Sequence, residues 1–77
     1  MEQMVKGLAS LGFEPIPSEA NFVYVDIGRD GRAVFEALLR EGIIVRHIEG
    51  RMVRVTIGLE EENREFLAAL KRVIQLH

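Results

Sequence analysis

Apolar residues recur at the spacing of an amphipathic helix in three stretches of the chain. The first stretch is followed by Gly12, and the second opens after Asp30, a good N-cap, and closes before Gly42. The third begins near Leu59 with acidic residues in its first turn, which favour the helix dipole. The pattern therefore predicts three helices. Their expected buried positions are Val5, Leu8, Ala9 and Leu11; Val34, Phe35, Leu38 and Leu39; and Phe66, Leu67, Leu70, Val73 and Ile74.

Between the helices the pattern changes to β-branched and aromatic runs, which are typical of strands. The predicted strands cover residues 21–27, 43–48 and 51–57, and Glu49-Gly50 is expected to form the hairpin turn between the second and third strands. Residues 13–17 contain two prolines and are interpreted as an extended connector. The predicted element order is α-β-α-β-β-α.

The connections between the strands predict a topology. A strand, a helix and a strand in succession form a crossover unit, so the first two strands should be parallel, whereas the short hairpin makes the third antiparallel to the second. We therefore expect an α+β sandwich with a three-stranded mixed sheet in the order 1-3-2 and the helices on one face. Residues 1–77 are expected to form a single domain.

Alternation along the strands divides their side chains between two faces. One face is aliphatic and should carry the helices: Val23, Val25, Ile27, Ile43, Val45, Val53, Val55 and Ile57. The other, called here the mixed face, consists of Phe22, Tyr24, Ile44, Arg46, Met52, Arg54 and Thr56. Because helices on the first side cannot cover it, the mixed face indicates an interface, and we expect a homodimer.

Arg46 and Arg54 are set into strand sequence that is otherwise largely apolar. Desolvating a guanidinium without a partner is costly, and its planar fork of donors matches a carboxylate or a phosphate. The pattern therefore indicates an anion site built on the sheet. The alternative is that the arginines extend into solvent or pair with a glutamate, such as Glu14, Glu19 or Glu49 for Arg54.

Composition argues against several other kinds of site. The chain has no cysteine and only two histidines, His47 and His77, so neither a disulfide framework nor a metal site is expected. The net charge of −2, with both signs mixed along the chain, gives no electrostatic footprint for nucleic acid or an anionic membrane. No apolar run is long enough to span a membrane, and the N-terminal residues do not form a signal peptide pattern. We expect a cytoplasmic protein, in keeping with the absence of cysteine.

Three segments together resemble a known family. They are residues 12–25, GFEPIPSEANFVYV; residues 42–46, GIIVR; and residues 53–58, VRVTIG, followed by the run EEEN at 60–63. Over nearly the whole chain they resemble the C-terminal small domain of fold-type I pyridoxal-phosphate aminotransferases, and most of all the histidinol-phosphate aminotransferase branch. The resemblance implies amino-group transfer in histidine biosynthesis, with an amino acid or a phosphate-bearing small molecule as substrate.

The resemblance also implies roles for the two arginines. Arg54 would bind the substrate carboxylate, or the phosphate of histidinol phosphate, and Arg46 would assist at the phosphate end of the pocket. The Schiff-base lysine, the acidic partner of the pyridinium nitrogen and the phosphate cup of that family belong to a large domain, which this chain lacks. Its only lysines, Lys6 and Lys71, lie in charge-rich or solvated helical sequence. We therefore expect no catalytic residue and no cofactor-binding residue here, an inactive isolated chain, and the large domain as its partner.

Two functions of other classes stay open at this point. The chain could be a freestanding anion-binding or regulatory module, or a structural domain that self-associates through its mixed face. A large domain encoded upstream would favour the aminotransferase over the module. In a purely structural domain, mutation of Arg54 would leave self-association unchanged.

Overall fold

A computed structural model of the protein describes residues 2–18 and 21–76. Its elements are α1 (Glu2–Ser10), β1 (Ile16–Pro17), β2 (Phe22–Asp26), α2 (Gly31–Arg40), β3 (Arg46–Glu49), β4 (Met52–Thr56) and α3 (Glu60–Leu76). The α+β class and the three helices are confirmed. Asp30 caps α2 as expected, because its Oδ1 accepts a hydrogen bond from the Arg32 N–H at 3.1 Å.

The strands form one sheet in the order β1-β2-β4-β3, and every neighbouring pair is antiparallel. β2 and β3 are parallel to each other, as the crossover through α2 requires, and β4 lies between them as predicted. The prediction of a three-stranded mixed sheet was wrong: β1 adds a fourth strand, and no neighbouring pair among the described strands is parallel. Ile16 pairs with Tyr24, and Pro17 pairs with Val23. The extended backbone that proline imposes is compatible with a strand as well as with a connector. On an edge strand the missing N–H of proline interrupts no hydrogen bond between strands.

The second predicted strand starts three residues too early. The Ile43 N–H donates to the Leu38 carbonyl at 2.9 Å and thereby closes the end of α2, so it is not available to a strand. Gly42, with φ of +80°, adopts the left-handed conformation in the turn between α2 and β3. At the hairpin, Gly50 and Arg51 form the turn instead of Glu49 and Gly50, because β3 extends to Glu49 through an irregularity in its pairing with β4.

The hydrophobic core lies between the helices and one side of the sheet. The prediction that the aliphatic face carries the helices is confirmed, because its residues form one side of the core. Its buried residues are Val23, Val25, Ile27, Val45, Val53 and Val55, and its partly buried residues are Ile43 and Ile57. Two predicted core positions were wrong, since Leu39 is 47% exposed and Ala9 is exposed. Ala37 and Met4 are buried instead. A small residue at 37 lets α2 approach the sheet closely.

Asn63 is the polar residue that the described core encloses, at 4% exposure. Its Oδ1 accepts the Gly58 N–H at 2.9 Å, and its Nδ2 donates to the Gly58 carbonyl at 3.2 Å and to Gln3 Oε1 at 3.0 Å. The Asn63 side chain therefore joins the loop after β4 to the start of α1 and to α3.

His47 lies on the helix side of the sheet, opposite Val53. Its Nε2 is 3.1 Å from the Gly50 carbonyl, which also accepts the Gly31 N–H at 2.8 Å. Because a carbonyl only accepts, Nε2 carries the proton. The histidine thus has a structural role within the β3–β4 hairpin, and the Gly31 N–H joins the same carbonyl to α2. Within residues 2–18 and 21–76 no group of His, Asp and Glu side chains is arranged to hold a metal ion, and His77 lies outside them.

Candidate anion-binding site

The strand register brings both predicted site residues into one row across the sheet. Arg46 is paired with Arg54, Arg54 with Tyr24, and Tyr24 with Ile16. Paired residues of neighbouring antiparallel strands point to the same face of the sheet. The residues next to Tyr24 along β2 and next to Arg54 along β4 are buried against the helices, and successive residues of a strand point to opposite faces, so the row points away from the helices. The row therefore lies on the mixed face, with the two arginines as direct cross-strand neighbours on the central strand β4 and the edge strand β3.

Arg54 is half-buried on β4, a central strand. Its Cζ lies 4.4 Å from the centroid of the Phe22 ring. Its Nε is buried and has no hydrogen-bond partner among the residues that the structure describes. The guanidinium is thus held against an aromatic face while one of its donors is left unmet.

The described side chains leave Arg54 without an acidic partner. The ion pairs within residues 2–18 and 21–76 are Lys6–Glu2, Arg51–Asp26, Arg64–Glu60 and Arg72–Glu41. The alternative that Arg54 pairs with Glu14 or Glu49 is therefore wrong, and Glu19 lies outside the described residues.

Arg46 is exposed on the edge strand β3 beside Arg54. Like charges directly opposite each other destabilise a sheet, because the two cations repel. An anion bound across both guanidinium groups would offset this repulsion and would meet planar donor forks from two strands. The arrangement is therefore suited to bind a carboxylate or a phosphate.

A groove of about 750 Å³ lies elsewhere on the domain. It runs between the loop after α1 and the ends of β2 and α3, and its two arginines already have partners. Arg51 pairs with Asp26 at 3.0 Å, and Arg29 donates to the carbonyls of Ile27 and Ile74. The two arginines of the mixed face instead stand on an open surface.

Phe22 is the member of this site whose contribution the sequence pattern did not reveal. Alternation places Phe22 on the same face as Arg54, but it does not show that the guanidinium lies over the ring. Register pairs Phe22 with Thr56, so the contact with Arg54 is diagonal. A β-strand aromatic two residues from the arginine's cross-strand partner is the signal that could have found it.

Comparison with known proteins identifies the family. Residues 1–70 match the family described as Aminotransferase class I and II. Histidinol-phosphate aminotransferase 2 of Pseudomonas aeruginosa is 49% identical over 78 residues, covering 96% of this chain and 21% of the relative. Histidinol-phosphate aminotransferase of Anaeromyxobacter sp. (strain Fw109-5) is 49% identical over 76 residues, covering 92% of this chain and 21% of the relative. The chain therefore spans about a fifth of the length of the curated relatives it matches.

Solved structures agree with this. Histidinol-phosphate aminotransferase from Clostridium acetobutylicum has a TM-score of 0.86 at 28% identity, covering 99% of this chain and 26% of that chain. The enzyme from Sinorhizobium meliloti, in complex with pyridoxal-5'-phosphate, has a TM-score of 0.85 at 31% identity, covering 97% of this chain and 23% of that chain. On sequence and on fold, the chain belongs to the class I and II aminotransferase family and corresponds to the small domain of a fold-type I enzyme.

Proposed function

We propose that the chain is the small domain of an aminotransferase acting on histidinol phosphate or a related amino acid, and that Arg54 and Arg46 bind the substrate's carboxylate or phosphate. The names of relatives at 49% identity support the substrate class. The observation that carries the proposal is the state of Arg54, a half-buried guanidinium on a central strand with an unmet donor.

The unpartnered Nε–H of Arg54 has an energetic consequence. A buried N–H without an acceptor costs about 1–3 kcal/mol of stability. A substrate carboxylate or phosphate would supply acceptors and would neutralise charge on both arginines. Because Arg46 is the cross-strand neighbour of Arg54, a phosphate dianion would meet two guanidinium groups without any change in strand pairing.

The described residues do not fit the pyridoxal phosphate that the Sinorhizobium meliloti relative holds. A lysine that forms a Schiff base is activated by a desolvated or strongly cationic setting. Lys6 is exposed and pairs with Glu2 at 2.7 Å, and Lys71 is exposed on α3. We derive no step of amino-group transfer from this chain, whose part is to bind and orient the substrate.

Cofactor binding and catalysis are assigned to a second domain. Residues 1–77 fold as one domain, and the cofactor is held by the large domain of a longer aminotransferase, which packs over the mixed face. The isolated chain is inactive. The coverage of about a fifth of each relative supports this division.

A second function, self-association of the domain, is favoured by a separate observation. Ile16, in the same row as Arg54, is 55% exposed, and Phe22, Tyr24 and Met52 on the mixed face are half-buried. Large apolar side chains exposed on one surface favour its coverage by another surface. A homodimer through this face would cover them when the large domain is absent.

Chemical-shift mapping with inorganic phosphate tests the anion site in the 77-residue chain. We expect saturable perturbations centred on Arg46 and Arg54, with a dissociation constant in the millimolar range, which corresponds to about 4 kcal/mol. Arg54→Lys should weaken binding about threefold or more, because it keeps the charge and loses the bidentate fork. Arg40→Lys, the same change at an exposed arginine in the last turn of α2, is the matched control and should have no effect.

Perturbations spread evenly over all exposed arginines would mean that phosphate only screens charge. The absence of any saturable perturbation at Arg46 and Arg54 would contradict the proposed site directly. An Arg54→Lys variant that binds as well as the parent chain would remove the argument from bidentate geometry.

A further inference from the structure

The contact between Arg54 and Phe22 has the geometry of a cation–π interaction. The Cζ of Arg54 lies 4.4 Å from the ring centroid, within the distance of about 6 Å over which the ring attracts a cation. Phe22 is opposite Thr56 and Arg54 is opposite Tyr24, so the guanidinium reaches diagonally across one position of the ladder. Diagonal neighbours on one face are within reach of long and aromatic side chains.

The Phe22 ring is an orienting contact for this guanidinium. No described carboxylate pairs with Arg54, and its Nε has no acceptor among residues 2–18 and 21–76. An arginine side chain is long and rich in rotamers, and ordering it on binding reduces affinity. A guanidinium whose Cζ already lies over a ring has lost part of that freedom before an anion arrives.

We propose that Phe22 is a positioning residue for Arg54, holding the plane of its guanidinium in the free protein. The inference deepens the anion site and rests on the proposed function for its biological meaning. If the ring preorganises the fork, its removal should weaken phosphate binding about threefold to tenfold while the charge of the site stays the same.

Nuclear magnetic resonance of the arginine side chains tests the proposal in the 77-residue chain. Without any added anion, the Hε and Hδ protons of Arg54 should be shifted upfield by the ring current, relative to those of Arg46. Phe22→Leu should abolish this shift, and Phe22→Tyr should preserve it because the aromatic face is kept. Phe13→Leu, the same change at a partly buried phenylalanine packed on the core, controls for a general loss of stability.

Phosphate titration of the same variants completes the test. We expect Phe22→Leu to raise the dissociation constant about threefold to tenfold, with Phe22→Tyr and Phe13→Leu close to the parent chain. Arg54 side-chain signals that are unshifted in the parent chain would overturn the proposal without any variant. Signals and affinity that are unchanged in Phe22→Leu would overturn it as well.

Failure of the anion site is distinguishable from failure of this inference. If the parent chain binds no phosphate, while the Arg54 upfield shift is present and is lost in Phe22→Leu, the substrate role is refuted and the positioning role is supported. If phosphate binds with the same affinity in the parent chain and in Phe22→Leu, the site stands and the positioning role is refuted.

Discussion

Removing the Asn63 side chain should be one of the most damaging single changes in this domain. The Gly58 N–H can only donate, so the Asn63 atom 2.9 Å from it is the oxygen, Oδ1. The Asn63 Nδ2 therefore faces the Gly58 carbonyl and Gln3 Oε1. Asn63→Ala would therefore leave both backbone groups of Gly58 and one side-chain acceptor without their partner. The site is nearly enclosed, with Asn63 at 4% exposure, so water replaces these bonds poorly.

The expected loss follows from these three bonds. Each buried polar group left unsatisfied costs about 1–3 kcal/mol, but Gly58 is itself at the surface and regains part of its hydration. We therefore expect Asn63→Ala to lower the free energy of unfolding by about 2–4 kcal/mol. A domain of this length has about 4–12 kcal/mol in total, so the variant would unfold at a much lower urea concentration.

Urea denaturation followed by circular dichroism measures this loss, and two variants make the reasoning specific. Asn63→Asp keeps the shape of the side chain and the acceptor for the Gly58 N–H. It replaces the Nδ2 donor with an oxygen that faces the Gly58 carbonyl and Gln3 Oε1, so it should lower the free energy of unfolding at least as much as Asn63→Ala does. Gln3→Ala removes only the outer bonds of the network and should cost about 1 kcal/mol or less. A loss under about 0.5 kcal/mol for Asn63→Ala, or an aspartate variant as stable as the parent chain, would refute the account.

Two further predictions concern the isolated chain. It should sediment as a dimer at moderate concentration, because each exposed apolar side chain that is covered contributes up to about 1.5–3 kcal/mol. Ile16→Lys, at a 55% exposed side chain in the row of Arg54, should shift the chain to monomer, while Leu59→Lys, a control at a 73% exposed leucine before α3, should not. A monomer at every concentration, or the same response to both lysines, would count against association through the mixed face. The chain should also give no saturable absorbance band in the aldimine region when titrated with pyridoxal phosphate, since neither Lys6 nor Lys71 is desolvated. A stoichiometric band that borohydride removes, with the label mapped to either lysine, would show that reasoning to be wrong.

Apolar periodicity was sufficient to predict the helices, the crossover and the two faces of the sheet. These properties depend on the burial of many side chains at once, so a single atypical residue does not change them. β1 was missed because its evidence is two residues long and includes Pro17, whose local preference does not distinguish an edge strand from a connector. Leu39 was misplaced because size suggested burial, whereas the packing of α2 selects Ala37.

The candidate site was predictable in its residues but not in its contacts. Parity placed Arg46, Arg54 and Phe22 on one face, and the strand order made the arginines neighbours. The stack of Arg54 on Phe22 depends on side-chain rotamers across a diagonal, which no spacing along the chain encodes. The network of Asn63 was also hidden, because an asparagine after three glutamates at the start of a helix resembles a solvated position.

The two edges of the sheet determine how the separated domain can aggregate. One edge is β1, which is two residues long and contains a proline, and the other is β3, which carries Arg46 and Glu49 and an irregular pairing. Neither edge offers a long, regular row of free backbone groups on which another chain's strand could be added. The broad side of the sheet instead presents apolar side chains that are exposed or half-buried, among them Ile16, Tyr24 and Met52. Copies of the domain should therefore meet in small closed assemblies and resist templated, fibril-like growth, even at concentrations where the uncovered surface drives them together.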